Sequence, residues 1–455
     1  EHFLGTNHAR ETQWRVRAGA TREGQLVFLD GEVTIDIGAY VRPLVGVVTE
    51  HCAINLLGPY RVDAFRCEAR CLLTNKVGIG TMRAPGRYEA TFAREGILDV
   101  LAGELGLSGV ELRGRNLLTQ DDYPYDTGAE SFGHNLVYDS GDPRTAFELA
   151  ARAVEDERHA GTRAEDGRLI GVGVVPFTES TGLGPFETAR MAIQDSGQVV
   201  VRLGTTSMGQ GHETTLAQVA ADALGVDLGE VVVRAGDPAA VSDGVGTFAS
   251  RSLVMGGSAV WLAGSELRTR LEKVDPQRRL TLAEAAHLTQ AEGEELAVEA
   301  RFESRTNTFA YGAHAAVVAI DPELGTLEVL RYVVIADVGR VVNPRIVVGQ
   351  IQGGVVLGLG GALLEELAYS TNGQPMSTSL MDYLLPSVHE APAVEVILID
   401  RARATSNPLG VKGAGEIGTI AAGAAIAAAA RDALGRSDAA TSLPLKPDRL
   451  ALADG

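Results

Sequence analysis

The sequence predicts an α+β fold in two lobes, on three observations. Short alternating apolar runs dominate its start, longer runs with helical apolar period follow, and 455 residues exceed what one compact core holds. The lobes divide near residue 165, giving domains 1–165 and 166–455, where the charged stretch 156–166 follows a short helix predicted at 144–155.

In chain order, residues 15–65 carry short alternating runs at 25–29 and 33–37, broken at Gly31, Gly38, Pro43 and Gly58–Pro59, which predicts strands and turns. A helix is predicted over 89–105, with Phe92, Ile97, Leu98 and Leu101 on one face and Gly106 as its stop, and a second over 110–116. Residues 118–142, rich in Asp, Gly, Tyr and Pro, lack helical period. The second lobe repeats a strand, loop and helix rhythm: strand 198–203, a glycine loop, helix 214–224, strand 231–233. A hairpin is predicted from 315–320 and 327–335, turning at 321–325, and a Gly-rich, closely packed helix over 349–367. The Ala-rich run 420–430 reads as a buried helix, and no apolar run reaches bilayer-spanning length.

Subtracting 59 acidic from 40 basic residues leaves −19, which opposes a sequence-independent grip on nucleic acid or an anionic membrane. Cys52, Cys67 and Cys71 are too few and too irregular for a disulfide framework, so a reducing cytoplasm is the expected compartment. Cys67 and Cys71 have no Cys or His cluster beside them and are expected to be buried apolar residues. The chain opens at Glu1 in a polar run unlike a signal peptide, and a missing N-terminal region is expected.

Three glycine-flanked loops carry isolated polar residues: TSMGQGHETT at 206–215, GTFASRS at 246–252 and GVKGAGEIG at 410–418. A glycine loop opening a helix presents free N–H groups and a positive dipole end, which suits a phosphate-bearing cofactor. None has the Gly-Lys-Ser/Thr of a P-loop or a dinucleotide fingerprint, and each taken alone reads first as an ordinary turn. Glu416, hemmed by Gly413, Gly415 and Gly418, has two open readings: a carboxylate favoured by a helix dipole, or a partly buried general base.

Taken together the motifs resemble the molybdenum hydroxylase family, the group of xanthine dehydrogenases, aldehyde oxidoreductases and carbon monoxide dehydrogenases, over nearly the whole chain. The resemblance implies the mixed α/β lobes of the xanthine dehydrogenase molybdenum-binding type, with 1–165 a partial first cofactor-binding domain and 166–455 the second. MGQG at 208–211 is similar to the family's cofactor-binding loop, with Gln210 bonding the pterin unit and Gly209 and Gly211 letting the backbone approach. MRAPGRYEA at 82–90 resembles its active-site arginine loop, implying a place for Arg83 beside metal and pterin. GTFASRS resembles the phosphate cradle, implying Ala249, Ser250 and Ser252 as its donors. VVGQIQGG at 347–354 resembles the glutamine helix, implying Gln350 rather than Gln352 as the cofactor contact. VKGAGEIG at 411–418 resembles the catalytic loop, implying Glu416 as the base, with Lys412 and Gly415 shaping the loop.

PFTESTGLGPFETA at 176–189 also fits the family pattern, which makes Phe177, Glu179 and Phe186 candidate pocket walls. His51 stands where purine-oxidising members place an arginine, against purine specificity, and Ala84 stands where carbon monoxide enzymes carry a copper-binding Cys, against that activity. The family's Gly-Gly-x-Phe-Gly loop does not occur before MGQG, which implies a truncated or split subunit.

The implied function is hydroxylation of an aldehyde or N-heterocycle with water as oxygen source. The implied cofactor is molybdenum-molybdopterin in its cytosine dinucleotide form, with no direct protein ligand to the metal. Too few cysteines for a cluster and no flavin fingerprint imply iron-sulfur and FAD partner subunits, in a homodimer of heterotrimers. The alternative is a cofactor-binding scaffold half, active only when a companion chain supplies the missing N-terminal part.

Overall fold

The computed structural model describes residues 1–159, 163–238, 241, 243–277, 279–304 and 306–451; part of the charged stretch at 156–166 lies outside them. The first three strands, β1 (Thr12–Ala20), β2 (Leu26–Gly38) and β3 (Ala64–Leu73), form one sheet in that order. β1 is antiparallel and β3 parallel to β2. The two runs predicted within β2 are one strand, unbroken at Gly31, because Leu56 packs there so closely that a Cβ would lie 2.3 Å from its Cδ2.

The prediction of strands through residue 65 is corrected at Val45–Asn55, which is a helix packed on β2 and β3. Its buried Val45, Val48 and Cys52 recur at i, i+3 and i+7, a helical spacing hidden among alternating neighbours. The cysteine reading is corrected too. Only Cys52 is buried; Cys67 is half-buried and Cys71 exposed, because β3 is an edge strand with one free side.

The long helix Arg87–Leu105 ends at Gly106 in a left-handed conformation, as predicted, and helix Gly109–Asn116 opens with a Ser108/Glu111 capping box. The non-helical stretch that follows contains a hairpin of β4 (Tyr125–Ser131) and β5 (His134–Tyr138), whose tip carries Phe132.

The remaining strands, β6 (Leu169–Thr181), β7 (Phe186–Ile193), β8 (Val199–Leu203), β9 (Val231–Ala235), β10 (Ala297–Glu303), β11 (Thr308–Ile320), β12 (Leu327–Asp337) and β13 (Val394–Ile399), make two sheets. One has the order β10-β7-β8-β9 and packs under helices His212–Leu224 and Ser258–Val274. The other has the order β13-β12-β11-β6 and includes the predicted hairpin.

All thirteen residues of β11 are buried, because both faces of its sheet are covered. Helix Pro143–Ala153 covers one face through Ala146, Phe147 and Ala150, and the Ala-rich helix Ala422–Leu434 covers the other. That second contact is close because β6 offers glycine: a Cβ on Gly173 would sit 2.2 Å from the Ala425 carbonyl oxygen. Gly173→Ala should therefore destabilise the fold by about 1–3 kcal/mol through overpacking against backbone. A thermal melt coinciding with that of the parent chain would contradict this packing.

The Gly-rich helix starts earlier than predicted, at Pro344, and ends at Leu363. Its overlooked signal is Asn343–Pro344: the Asn343 side chain accepts from the Ile346 amide and proline occupies the first turn. The expectation that no segment reaches spanning length is corrected. Pro344–Leu363 and Ile417–Leu434 are long and apolar enough, although the second is 89% buried within the protein and the first packs one face into the same core.

Candidate functional site

Four loops and the N-terminal half of the Pro344–Leu363 helix surround a cavity of about 930 Å³. It is lined by segment 81–87, by 208–212, by 247–253 and by 412–416, with Gln350 on the helix. The three glycine loops singled out in the sequence thus converge, although they are far apart along the chain.

Glu416 stands at the cap position before the short turn Ile417–Ile420 and is 8% exposed. Its Oε1 accepts from the Ala84 amide at 2.8 Å, and its Oε2 accepts from the Ser250 hydroxyl at 3.3 Å. The Arg87 Nη1 lies 3.7 Å from Oε2. Two segments, 81–87 and 247–253, therefore hold one carboxylate at the cavity wall. Ala84, at φ +62°, aims its N–H at Glu416 through a left-handed backbone.

Arg83 pins two walls together. Its Nε donates to the Gly415 carbonyl at 2.6 Å and its Nη2 to the Gln350 carbonyl at 2.9 Å, with the Gln350 Oε1 at 3.4 Å. Burial lowers its proton affinity while Glu416 and Glu179 oppose that, and the guanidinium remains a cation. Gln210 folds its Oε1 back to the Met208 amide at 2.6 Å. Gly209, at φ +107°, has nothing within 4 Å of where a Cβ would stand, and Gly211 caps the helix His212–Leu224.

Ala249 and Ser250 both have positive φ, +47° and +51°, which non-glycine residues adopt only when their surroundings enforce it. The enforcing neighbour is Gly413, where a Cβ would lie 2.1 Å from the Ser250 carbonyl oxygen. Ser252 lines the cavity from the start of the turn Ser252–Gly257.

Other candidates are placed differently. Phe177 is fully buried in the core, edge-on to His314 at 5.3 Å, and is not a pocket wall. Phe186 is not one either: its ring lies under the Arg301 guanidinium at 3.4 Å, on the β10-β7-β8-β9 sheet. Glu179 shares the Phe177 face of β6 by the period of two and is fully buried behind the wall, where its Oε1 lies 2.7 Å from the Ser250 hydroxyl oxygen. Lys412 contributes backbone to the wall, while its ammonium turns away to the Ser140 carbonyl at 2.9 Å and the Tyr311 ring. It therefore anchors its loop rather than reaching into the cavity. Gln352 is exposed and donates to the Val394 carbonyl, outside the cavity.

His51 does line the cavity, from the helix that the alternation concealed. It is 4% exposed, and burial together with the Arg87 charge lowers its pKa well below the ordinary range, so the ring is neutral. Phe132 stands edge-on to it at 5.8 Å. Sequence reasoning missed Phe132, Arg87 and the anchor Arg251. The last two lay inside quoted motifs, MRAPGR and GTFASRS, four residues beyond Arg83 and next to Ser250. Phe132 had no local signal.

The arrangement defines a protein with a binding cavity walled by glycine loops against a buried carboxylate. The cradle fits a pterin-type cofactor: an open glycine edge at Gly209, a strained Ala249–Ser250 turn, and amides of Gln210 and Gln350 at the wall. Among the described residues no group of three or more His, Cys, Asp or Glu is placed to hold a metal ion.

Two family models described as molybdopterin cofactor-binding domain match residues 1–117 and 146–392. The chain belongs to this family, that of the molybdenum hydroxylases. It is 37% identical over 99% of its length to the 6-hydroxypseudooxynicotine dehydrogenase complex subunit gamma of Paenarthrobacter nicotinovorans, covering 61% of that protein. It is 30% identical over its whole length to the nicotine 6-hydroxylase large subunit of the same organism, again covering 61%. Quinoline 2-oxidoreductase from Pseudomonas putida 86 superposes with a TM-score of 0.89 at 31% identity, over 98% of this chain and 62% of that one. The chain thus spans about three-fifths of the curated relatives it matches.

Proposed function

We propose that this chain is the cofactor-binding catalytic part of a molybdenum hydroxylase that oxidises a carbon of a flat, neutral N-heterocycle, with Glu416 as general base. The observation that carries this reading is the Glu416 carboxylate, held by Ala84, Ser250 and Arg87 at the wall where the glycine loops converge. The bound cofactor, in its cytosine dinucleotide form, supplies the oxidant and the activated oxygen derived from water.

The protein's part is placement and proton transfer. Gln210, Gln350, Ser252 and the amides of the Ala249–Ser250 turn hold the cofactor, and Arg83 keeps their two walls in register. Glu416 accepts the proton released as oxygen attacks the substrate carbon. The cavity lining includes an apolar part: neutral His51 faces the Phe132 edge, Leu44, Pro85, Met208 and Phe248 line the same cavity, and the nearby Arg87 is engaged by Glu416 and the Ser180 carbonyl. Such a lining suits a flat aromatic ring. Nicotine 6-hydroxylase and quinoline 2-oxidoreductase, two of the similar proteins, bear the names of nitrogen heterocycles. These names also favour a catalytic chain over a scaffold half.

Electrons leave through iron-sulfur and FAD partner subunits, in a cytoplasmic homodimer of heterotrimers. The assembled enzyme, given an artificial electron acceptor and a panel of pyridines, quinolines, purines and aldehydes, should turn over the neutral heterocycles fastest. Preference for purines or aldehydes would overturn the substrate class.

A further inference from the structure

We propose that Glu179 is a positioning residue which stays protonated and, through the Ser250 hydroxyl, keeps Glu416 aimed at the cavity. This rests on the reading of Glu416 as the base. The Ser250 Oγ lies 2.7 Å from Glu179 Oε1 and 3.3 Å from Glu416 Oε2. A hydroxyl has one hydrogen to give. Were both carboxyls ionised, Ser250 could satisfy only one. With the proton on Glu179 all three groups fall in line: the Glu179 O–H donates to Ser250 Oγ, and the Ser250 O–H donates to Glu416.

The rest of the surroundings agree. Glu179 is fully buried; its Oε2 receives no donor among the described residues, a costly state for a charged oxygen, and its carboxyl is itself within hydrogen-bond reach of Glu416, a contact that needs a proton on one of the two. The charged groups around it are Glu416, Arg87 from the Arg87–Leu105 helix and Arg83 from the preceding loop. Neither arginine is hydrogen-bonded to Glu179. Arg83 donates to carbonyls and to Gln350, while the Arg87 Nη2 donates to the Ser180 carbonyl at 3.0 Å and its Nη1 faces Glu416. His51, next to Arg87, is neutral. Burial and then the Glu416 charge push the Glu179 carboxyl well above the usual range, against a smaller pull from Arg87.

The strained Ser250 backbone gains a purpose on this reading. A left-handed turn packed on Gly413 places one hydroxyl between two carboxyls that come from different parts of the chain.

The test is an infrared pH titration of the full chain, with kinetics of the assembled enzyme beside it. A protonated-carboxyl C=O band should persist above neutral pH, be absent in Glu179→Gln, and titrate at lower pH in Glu416→Gln, where the neighbouring charge is gone. In turnover, Glu179→Leu should lose about 10- to 100-fold in kcat with a smaller change in KM, the range expected for a lost hydrogen bond to a charged group. Glu179→Gln, a neutral donor of similar shape, should restore most of that loss. Absence of the band above the ordinary carboxylate range, or full turnover in Glu179→Leu, would overturn the proposal. If Glu416→Gln stays active while the band behaves as described, the base assignment fails and the protonation of Glu179 stands.

Discussion

Glu416→Gln is expected to leave molybdenum and pterin content at the parent level and to lower turnover by about 10²- to 10⁴-fold, the range a positioned general base supplies. The substitution is nearly isosteric: the amide oxygen can keep the bond from the Ala84 amide, and the amide NH2 can instead donate to the Ser250 oxygen. What disappears is the ability to take a proton. Cofactor retention is expected because the groups that reach the cavity as donors, on Gln210, Gln350 and the Ala249–Ser250 turn, are untouched. Metal analysis and steady-state rates on one preparation decide the matter. Retained turnover removes Glu416 from the mechanism, and lost cofactor makes it structural.

Arg251→Met is expected to destabilise the protein by about 3–5 kcal/mol, since removing one member of a buried pair leaves the other charge uncompensated. Arg251 and Glu187 are both fully buried, with Nη1 2.7 Å from Glu187 Oε2. The same guanidinium donates to the carbonyls of Leu183, Gly246 and Phe186, so it fastens the 246–252 loop to the end of β7. Loss of cofactor should accompany loss of stability. Adding Glu187→Leu should recover part of the stability and none of the cofactor binding, because the apolar pair no longer ties down the loop carbonyls. Denaturant melts and bound molybdenum measure the two separately, and an unshifted melt in the single variant would refute the anchor.

Much of the site was legible because its chemistry is local. Gly209, Gly211, Gly413 and Gly415 mark backbone that must be approached closely, and polar residues set among them announce that something other than a turn is being served. The hairpin at 321–325 and the Ala-rich helix were legible for the same reason, since turn chemistry and apolar period act over a few residues. Long-range arrangements were not. Nothing near Phe132 signals that a hairpin tip will meet His51, and nothing near Phe186 signals that its ring will be taken up by Arg301.

The helix Val45–Asn55 marks the boundary between the two. Its residues satisfy strand and helix periods at once, and only packing on β2 and β3 selects the helix and turns His51 into the cavity.

By itself the sequence determined many of the strands and helices, the three glycine loops, and that Glu416 stands in one of them. Tertiary structure alone decided which carboxyl accompanies it. Glu179 and Glu416 are separated by most of the second lobe and meet only because β6 runs beneath the last glycine loop with Ser250 between them. Burial there changes what a carboxyl is: away from water, two of them on one hydroxyl cannot both hold charge. On the proposed reading one glutamate serves as the base and the other as its neutral support.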